Sequence, residues 1–262
     1  MKFLVTGASS GIGEAIVKQL AKDRNDLIII ARREEKLNEL KTELEKLYSI
    51  NVEYIVADLT IEDDLKNVFN RIEQDDIDVL INNAGFGSSG PFVELDIDNE
   101  LNEIDLNIKA LVQLTHSAAN SMAKNKSGTI VNISSIASYQ PMVGNAVYGA
   151  TKSFVTSFTH AISEELNSAG VNVLLVCPGL TVSDFHKRSS WIEAGKDDSA
   201  YPKMLWKDSD EVAKMVVKSI KNHRSVLIPG ILNKVIAFTS SSLPGNWTKK
   251  ITAVVAKGRR TR

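Results

Sequence analysis

Tyr148 and Lys152 stand four residues apart in Tyr148-Gly149-Ala150-Thr151-Lys152, at the start of a segment that reads as a long helix. Side chains at i and i+4 share one helical face. A phenol held beside an ammonium is a tunable proton donor and acceptor. A free tyrosine titrates near pH ~10 and is a poor base at neutrality. Lowering that value by about three units takes roughly 4 kcal/mol. One ammonium at ~4–5 Å supplies about that much at an effective dielectric near 20. The pair can therefore move a proton to or from an oxygen. Tyr-x-x-x-Lys also arises by chance as a solvated helix pair, so its meaning rests on the elements around it.

Short β-branched runs alternate with helical patterns along the 262 residues. Strands are expected at residues 3–6, 27–31, 52–57, 79–82, 129–134, 171–176 and 225–228. Helices are expected at 11–22, 34–48, 62–74, 98–124, from Tyr148 to about Ser168, and at 211–221. Apolar runs such as Leu27-Ile28-Ile29-Ile30 and Val173-Leu174-Leu175-Val176 suit strands buried on both faces. Strands alternating with helices argue for right-handed crossovers. The expected architecture is a single-domain α/β fold of Rossmann type. It is a doubly wound parallel sheet of about seven strands with helices on both faces. Residues 183–207 are polar with scattered aromatics and suit a substrate lid, and 230–262 form a basic C-terminal extension.

Hydrophobic content is 43% and charged content 24%, which fits a globular protein with a full core. The net charge of −1 points to no polyanionic partner, yet its distribution is uneven. Past Glu211 there are eleven Lys or Arg and no acid, so residues 1–211 carry −12 and the remainder +11. A short basic amphipathic helix around Ile251, Val254 and Val255 would suit an anionic membrane surface, the acidic main body or another subunit. The lone Cys177 excludes an internal disulfide and suits a reducing compartment. The chain opens directly into Lys2-Phe3-Leu4-Val5-Thr6, without the pattern of a signal peptide, and no stretch approaches a membrane span. The expected location is cytoplasmic. His116 and His186 are isolated, and no cluster of His, Cys or carboxylates suggests a metal.

Thr6-Gly7-Ala8-Ser9-Ser10-Gly11-Ile12-Gly13 follows the first strand and opens the first helix. Gly7 permits a tight turn, Gly11 lets backbone approach a pyrophosphate, and Gly13 permits close helix–sheet packing. An anion would rest on the free N–H groups of Ser9, Ser10, Gly11 and Ile12 at the helix start. An ordinary glycine-rich strand-to-helix turn would have the same composition.

This turn closely resembles that of the classical short-chain dehydrogenase/reductase family, as do Asn82-Asn83-Ala84-Gly85 after the fourth strand and Tyr-x-x-x-Lys on a later helix. Ser135 lies thirteen residues before Tyr148, the spacing of that family's catalytic serine. Asn107 in Leu106-Asn107-Ile108-Lys109 matches its helical asparagine, and Pro178-Gly179-Leu180-Thr181 resembles its nicotinamide-side segment. The resemblance covers residues 3–183 and implies hydride transfer between a nicotinamide cofactor and a carbonyl or alcohol carbon. It implies Tyr148 as the acid or base, Ser135 as hydrogen-bond donor to the substrate oxygen, and Lys152 lowering the Tyr148 pKa while binding the nicotinamide ribose. Asn107 would hold a relay water. Ser134 is the rival for the serine role, and the spacing favours Ser135. Pro178, Gly179 and Thr181 would face the nicotinamide, and Asn83, Ala84 and Gly85 the adenosine side. Asp58-Leu59 resembles the family's adenine-binding pair, although Asp58 also suits a helix N-terminal acid, with Thr60 as cap. The family implies a homo-oligomer.

Cofactor choice turns on Arg32. Dinucleotide folds that prefer NAD place an acid at the end of the second strand. Here Ala31 stands there, followed by Arg32 and Arg33. A guanidinium can grip a 2′-phosphate in two places, so NADP(H) is expected over NAD(H). Ser10 stands where the family can carry a further basic residue, which tempers that preference. Tyr139, Met142, Val143, Phe185, Trp191, Tyr201, Met204 and Trp206 suit a hydrophobic or bulky carbonyl substrate or simple lid packing. A dinucleotide-binding regulatory protein on the same fold is the non-enzymatic alternative. A sugar-nucleotide epimerase or dehydratase of the extended group is disfavoured by the glycine spacing.

Overall fold

Runs of Val, Ile and Leu become strands buried on both faces, as parallel sheets between helical layers require. In the computed structural model the described residues are 1–182 and 206–242. The expected runs become β1 (Lys2–Thr6), β2 (Asp26–Ala31), β3 (Val52–Val56), β4 (Val79–Asn82), β5 (Thr129–Ile133) and β6 (Asn172–Val176). Alternate residues serve opposite layers. Phe3, Val5, Leu27, Ile29 and Ile81 face one core, and Leu4, Ile28, Ile30 and Leu80 face the other.

The first core is closed by α1 (Gly11–Lys22) and α2 (Glu34–Tyr48), through Ile16, Leu20, Leu37, Leu40 and Leu44. The second is closed by α3 (Glu62–Gln74) through Leu65, Val68 and Ile72. The expected helix at 98–124 has three parts: α4 (Ile97–Ile104), a π-helical segment (Asp105–Ala110) and α5 (Leu111–Asn125). Leu114, Ala118 and Met122 of α5 complete the second core. Tyr148 lies in the first turn of α6 (Ala146–Asn167). A separate parallel pair is formed by β7 (Thr181–Val182) with β8 (Lys207–Asp208). It was not expected, because two-residue strands carry no readable alternation. After it, α7 (Ser209–Lys221) packs Val212 and Val216 into the first core. The chain continues through β9 (Val226–Leu227) to α8 (Ile231–Ser242). Only this last helix of the expected C-terminal extension falls within the described residues.

The central sheet runs β3-β2-β1-β4-β5-β6-β9, wholly parallel. The chain winds outward from β1 to β3, then returns to lay β4 against the free side of β1. That reversal opens a crevice beyond the carboxyl ends of β1 and β4, the usual ligand position in open α/β sheets. The glycine turn and Asn83–Gly85 both begin there.

Candidate active site

The glycine turn is built by its backbone and braced by β4. Gly7 and Gly11 have φ of 67° and 59°, a region that L residues enter only with strain. A Cβ on Gly13 would collide with the Gly7 carbonyl oxygen and the Asn83 amide. Thr6 Oγ1 accepts from the Asn83 and Ala84 backbone N–H groups, each at 3.0 Å. Asn83 Nδ2 donates back to the Thr6 carbonyl at 3.0 Å. One residue earlier, Asn82 Nδ2 donates to Asn132 Oδ1 and Thr115 Oγ1, each at 2.9 Å, tying β4 to β5 and α5. The segment thus ties β4 to its neighbours while its next residues line the cleft.

The two arginines after β2 diverge. Arg32 is largely exposed and its Nη1 donates to Asp58 Oδ2 at 3.2 Å. Arg33 folds onto the glycine turn, with Nη2 donating to the Ser9 carbonyl at 2.7 Å and Nε and Nη2 reaching Ser9 Oγ at 3.2 and 3.0 Å. The basic group that Ser10 does not supply within the turn therefore arrives from outside it. Asp58 is no helix cap, and neither is Thr60, because Ile61 holds that position without a side-chain bond. Asp58 Oδ1 instead accepts from Thr60 N and Oγ1 at 3.1 and 2.7 Å. Burial alone would raise the Asp58 carboxyl, but the Thr60 and Arg32 hydrogen bonds outweigh it and hold it below the usual range.

Asn107, Tyr148 and Lys152 converge around one loop, 85–88. Asn107, turned inward by the π segment, donates through Nδ2 to the Phe86 carbonyl at 2.8 Å and to Thr151 Oγ1 at 3.1 Å. Its Oδ1 accepts from Phe86 N at 3.2 Å. Gly85 fits only because it lacks a side chain: a Cβ there would stand 2.9 Å from Asn107 Oδ1 and 3.4 Å from Lys152 Nζ. Gly87 backs directly on the Tyr148 ring. Ser135 caps a 3₁₀ turn (Ile136–Tyr139), where its Oγ accepts from Ala137 N at 3.1 Å, and its hydroxyl stands near enough to the Tyr148 phenol to favour the phenolate. Ser134 faces away, donating to the Lys152 carbonyl at 2.9 Å and meeting Thr156 Oγ1 at 2.8 Å.

Electrostatics correct one expectation. Lys152 Nζ lies 5.8 Å from the Tyr148 ring centroid and donates to the Ile133 carbonyl at 3.0 Å. Burial pushes the Tyr148 phenol up to about 12, with Ser135 pulling the other way, rather than down towards neutrality. Burial also lowers Lys152 to about 8. Taking a phenolate and an ammonium out of water penalises both charged forms.

The expected site residues line one cleft of about 600 Å³, except Gly13 and Asn107, which are buried behind its wall. Ser9 to Ile12 and Arg32 lie at one end, beside Asp58 and Leu59. Ser135, Tyr148 and Lys152 lie at the other, beside Pro178, Gly179 and Thr181. The cradle fits a dinucleotide: glycines where a Cβ would intrude, helix-start N–H groups for a pyrophosphate, and guanidinium groups at the far end. Asn233 and Ile236 of α8 also line the cleft, as do Asn99 and Asn102 of α4. Sequence reading missed them, since lone amides carry no spacing signal. Asn233 packs so closely on Gly179 that no side chain fits there. Of the expected substrate-side residues, Met142 lines the cleft, while Tyr139 is turned towards Cys177, its Oη 3.7 Å from Sγ. Phe185, His186, Trp191, Tyr201 and Met204 lie outside the described residues. Among the described residues no group of His, Cys or acids could hold a metal ion.

A doubly wound parallel sheet with a glycine cradle at its switch point, and a serine, tyrosine and lysine at the far end of the cleft, defines a dinucleotide-binding oxidoreductase. The chain belongs to the short-chain dehydrogenase family, whose family model matches residues 2–192. It is 31% identical over 236 residues to the NADP-dependent 3-hydroxy acid dehydrogenase of Schizosaccharomyces pombe, covering 87% of this chain and 90% of that protein. Among solved structures it resembles a short-chain dehydrogenase from Sphingobium yanoikuyae in complex with NADPH, with 32% identity, a TM-score of 0.82 and 88% of each chain covered. It also resembles the bulky-bulky ketone specific alcohol dehydrogenase of Comamonas testosteroni, with 28% identity and a TM-score of 0.78 over 100% of this chain and 94% of that one.

Proposed function

We propose that this chain moves a hydride between NADP(H) and a carbonyl or alcohol carbon, with Tyr148 handling the oxygen's proton. The observation that carries the reading is the convergence of the Ser135 hydroxyl, the Tyr148 phenol and the Lys152 ammonium at one end of the nucleotide cleft. NADP(H) supplies the nicotinamide that gives or accepts the hydride. The residues do the rest. Ser135 hydrogen-bonds the substrate oxygen. Tyr148, kept protonated by its burial, donates its proton to that oxygen in the reductive direction and takes one back in the oxidative direction. Lys152 holds positive charge beside the phenol, and Asn107 fixes the loop that presses on both.

Arg32 and Arg33 support a preference for the 2′-phosphate, as does the NADP named for the yeast relative and the NADPH in the bacterial structure. A hydrophobic or bulky carbonyl compound fits the mixed apolar and amide lining near Met142 and Ile236, and the likeness to a bulky-ketone dehydrogenase supports it. The buried Cys177 thiol fits a cytoplasmic location. Apolar residues exposed on α4 support a homo-oligomer.

The test is consumption of NADPH across a panel of ketones and aldehydes by the wild type and Tyr148→Phe. Phenylalanine keeps the packing against Gly87, so NADPH affinity stays within a few-fold. Turnover falls by about 10²–10⁴ with loss of the acid. Near-wild-type turnover in Tyr148→Phe would remove the mechanism. NADPH binding without consumption on any substrate would favour a regulatory protein.

A further inference from the structure

One buried cluster takes no part in lining the nucleotide cleft. Glu100 and Glu103 lie three residues apart on α4, so their carboxylates share one helical face. They are 2% and 0% exposed. The Ser88 backbone N–H donates to Glu103 Oε2 at 2.9 Å. The Ser88 carbonyl accepts from Asn145 Nδ2 at 2.5 Å, and Asn145 is the N-cap residue of α6, three residues before Tyr148. Four acceptor oxygens here, both of Glu100, Oε1 of Glu103 and Oδ1 of Asn145, make no hydrogen bond among the described residues, and the Ser88 hydroxyl beside Glu103 is the one unused side-chain donor in this cluster. Ionised carboxylates only accept, so two charges here would deepen the deficit, whereas a protonated carboxyl brings a donor.

Loop 85–88 touches both this cluster and the Asn107, Tyr148 and Lys152 side chains. Asn107 grips Phe86, Gly87 backs on the Tyr148 ring, and Ser88 bonds Glu103. A charge on Glu103 is therefore felt across the loop. The geometry points to Glu103 as a positioning residue for the hydride-transfer site: its carboxyl takes up and yields a proton behind the loop, and its charge sets the pH at which the Tyr148–Lys152 pair gives one up. The inference rests on the oxidoreductase reading above.

Burial drives the Glu103 carboxyl up to about 7, the Ser88 N–H opposing and Glu100 adding to the rise, with Lys152 pulling it down. Ionised Glu103 in turn raises both Tyr148 and Lys152. The ionisable groups facing it are Glu100 from its own helix and Tyr148 and Lys152 from α6. Loop 83–91 carries none. Asp105 and Lys109 of the π segment pair with each other at 3.9 Å with largely exposed side chains.

Two measurements on the full chain test this. The first needs no cofactor. An acid raised in the fold stabilises it fully below its unfolded value, and that contribution is lost as pH rises through about 7. The wild-type unfolding midpoint should fall across that range, Glu103→Gln should flatten the fall, and Glu100→Gln should move it to lower pH. The second is the pH profile of NADP⁺-dependent alcohol oxidation, which rises as Tyr148 loses its proton. Removing the Glu103 charge by Gln or by Met should move that limb down by about one pH unit, a gain of about tenfold at a fixed pH on the limb. Glu103→Met serves if the Gln variant does not fold. Oxidation with an unmoved limb in both variants overturns the role of Glu103 and leaves the oxidoreductase intact. A wild type that oxidises or reduces nothing overturns both.

Discussion

Arg33 makes three hydrogen bonds to Ser9 and so becomes part of the phosphate turn although it lies 24 residues away in the chain. Arg32, the residue that sequence reading favoured, stays at the surface on Asp58. Under the NADP(H) reading proposed above, these two guanidinium groups would be the partners of the 2′-phosphate. We expect Arg32→Ala and Arg33→Ala each to raise the Michaelis constant for NADPH about tenfold, the scale of one charge-assisted contact, and to leave that for NADH nearly unchanged. Equal losses for both cofactors in the Arg33 variant would mean that it only braces the turn. At this scale the shared cleft of Ser135, Tyr148 and Lys152 was legible because their spacing is rigid: they sit at a strand end and on one helix face. Arg33 was not legible, since two adjacent arginines at a helix start look alike until one of them is seen to fold back. The direction of the Tyr148 shift was also missed, because spacing gives proximity to Lys152 but not the burial of both groups.

The helix α4 inverts the usual rule for an amphipathic element. It exposes Ile97, Leu101 and Ile104 at 59%, 51% and 38%, while Glu100 and Glu103 are buried. A periodic reading places the apolar stripe inward, so the pattern gave the helix and concealed its orientation. The π segment after it was equally hidden, since one extra residue per turn leaves no mark on composition. An exposed apolar stripe of this kind suits a protein-contact surface, and Phe92 and Val93, exposed just before it, extend the patch. A second copy of the chain covering it would follow the family's habit. Leu101→Glu should then reduce the mass in gel filtration to that of one chain without lowering the unfolding midpoint. An unchanged mass would show that this stripe is not the contact. The rest of the expected elements lie within a residue or two of their places, because β-branched runs and 3.6-residue periodicity are both strong in this chain.

Across the whole molecule, charge and topology tell different stories. The basic surplus after Glu211 resides partly on α7 and α8, in Lys214, Lys218, Lys221 and Lys234, and partly beyond the described residues. Among the described residues no helix is long and apolar enough to cross a membrane. We expect the full chain and a chain lacking residues 245–262 to co-sediment with anionic liposomes equally. Retention of the full chain alone, released by salt, would reveal a surface-binding tail. The sheet order was readable only as a class, because alternating strands and helices imply a parallel sheet but do not say which strand lies beside which.

That order has a consequence for how the polypeptide is made. Of the strands of this sheet β1 comes first in chain order yet ends in its interior, and one of its two neighbours, β4, is 76 residues further on at Phe3↔Val79. A ribosome must therefore add 76 more residues before β1 can be enclosed on both edges. Until then its Phe-Leu-Val run stays available to other nascent chains, and refolding from denaturant should be slow and increasingly lossy as protein concentration rises.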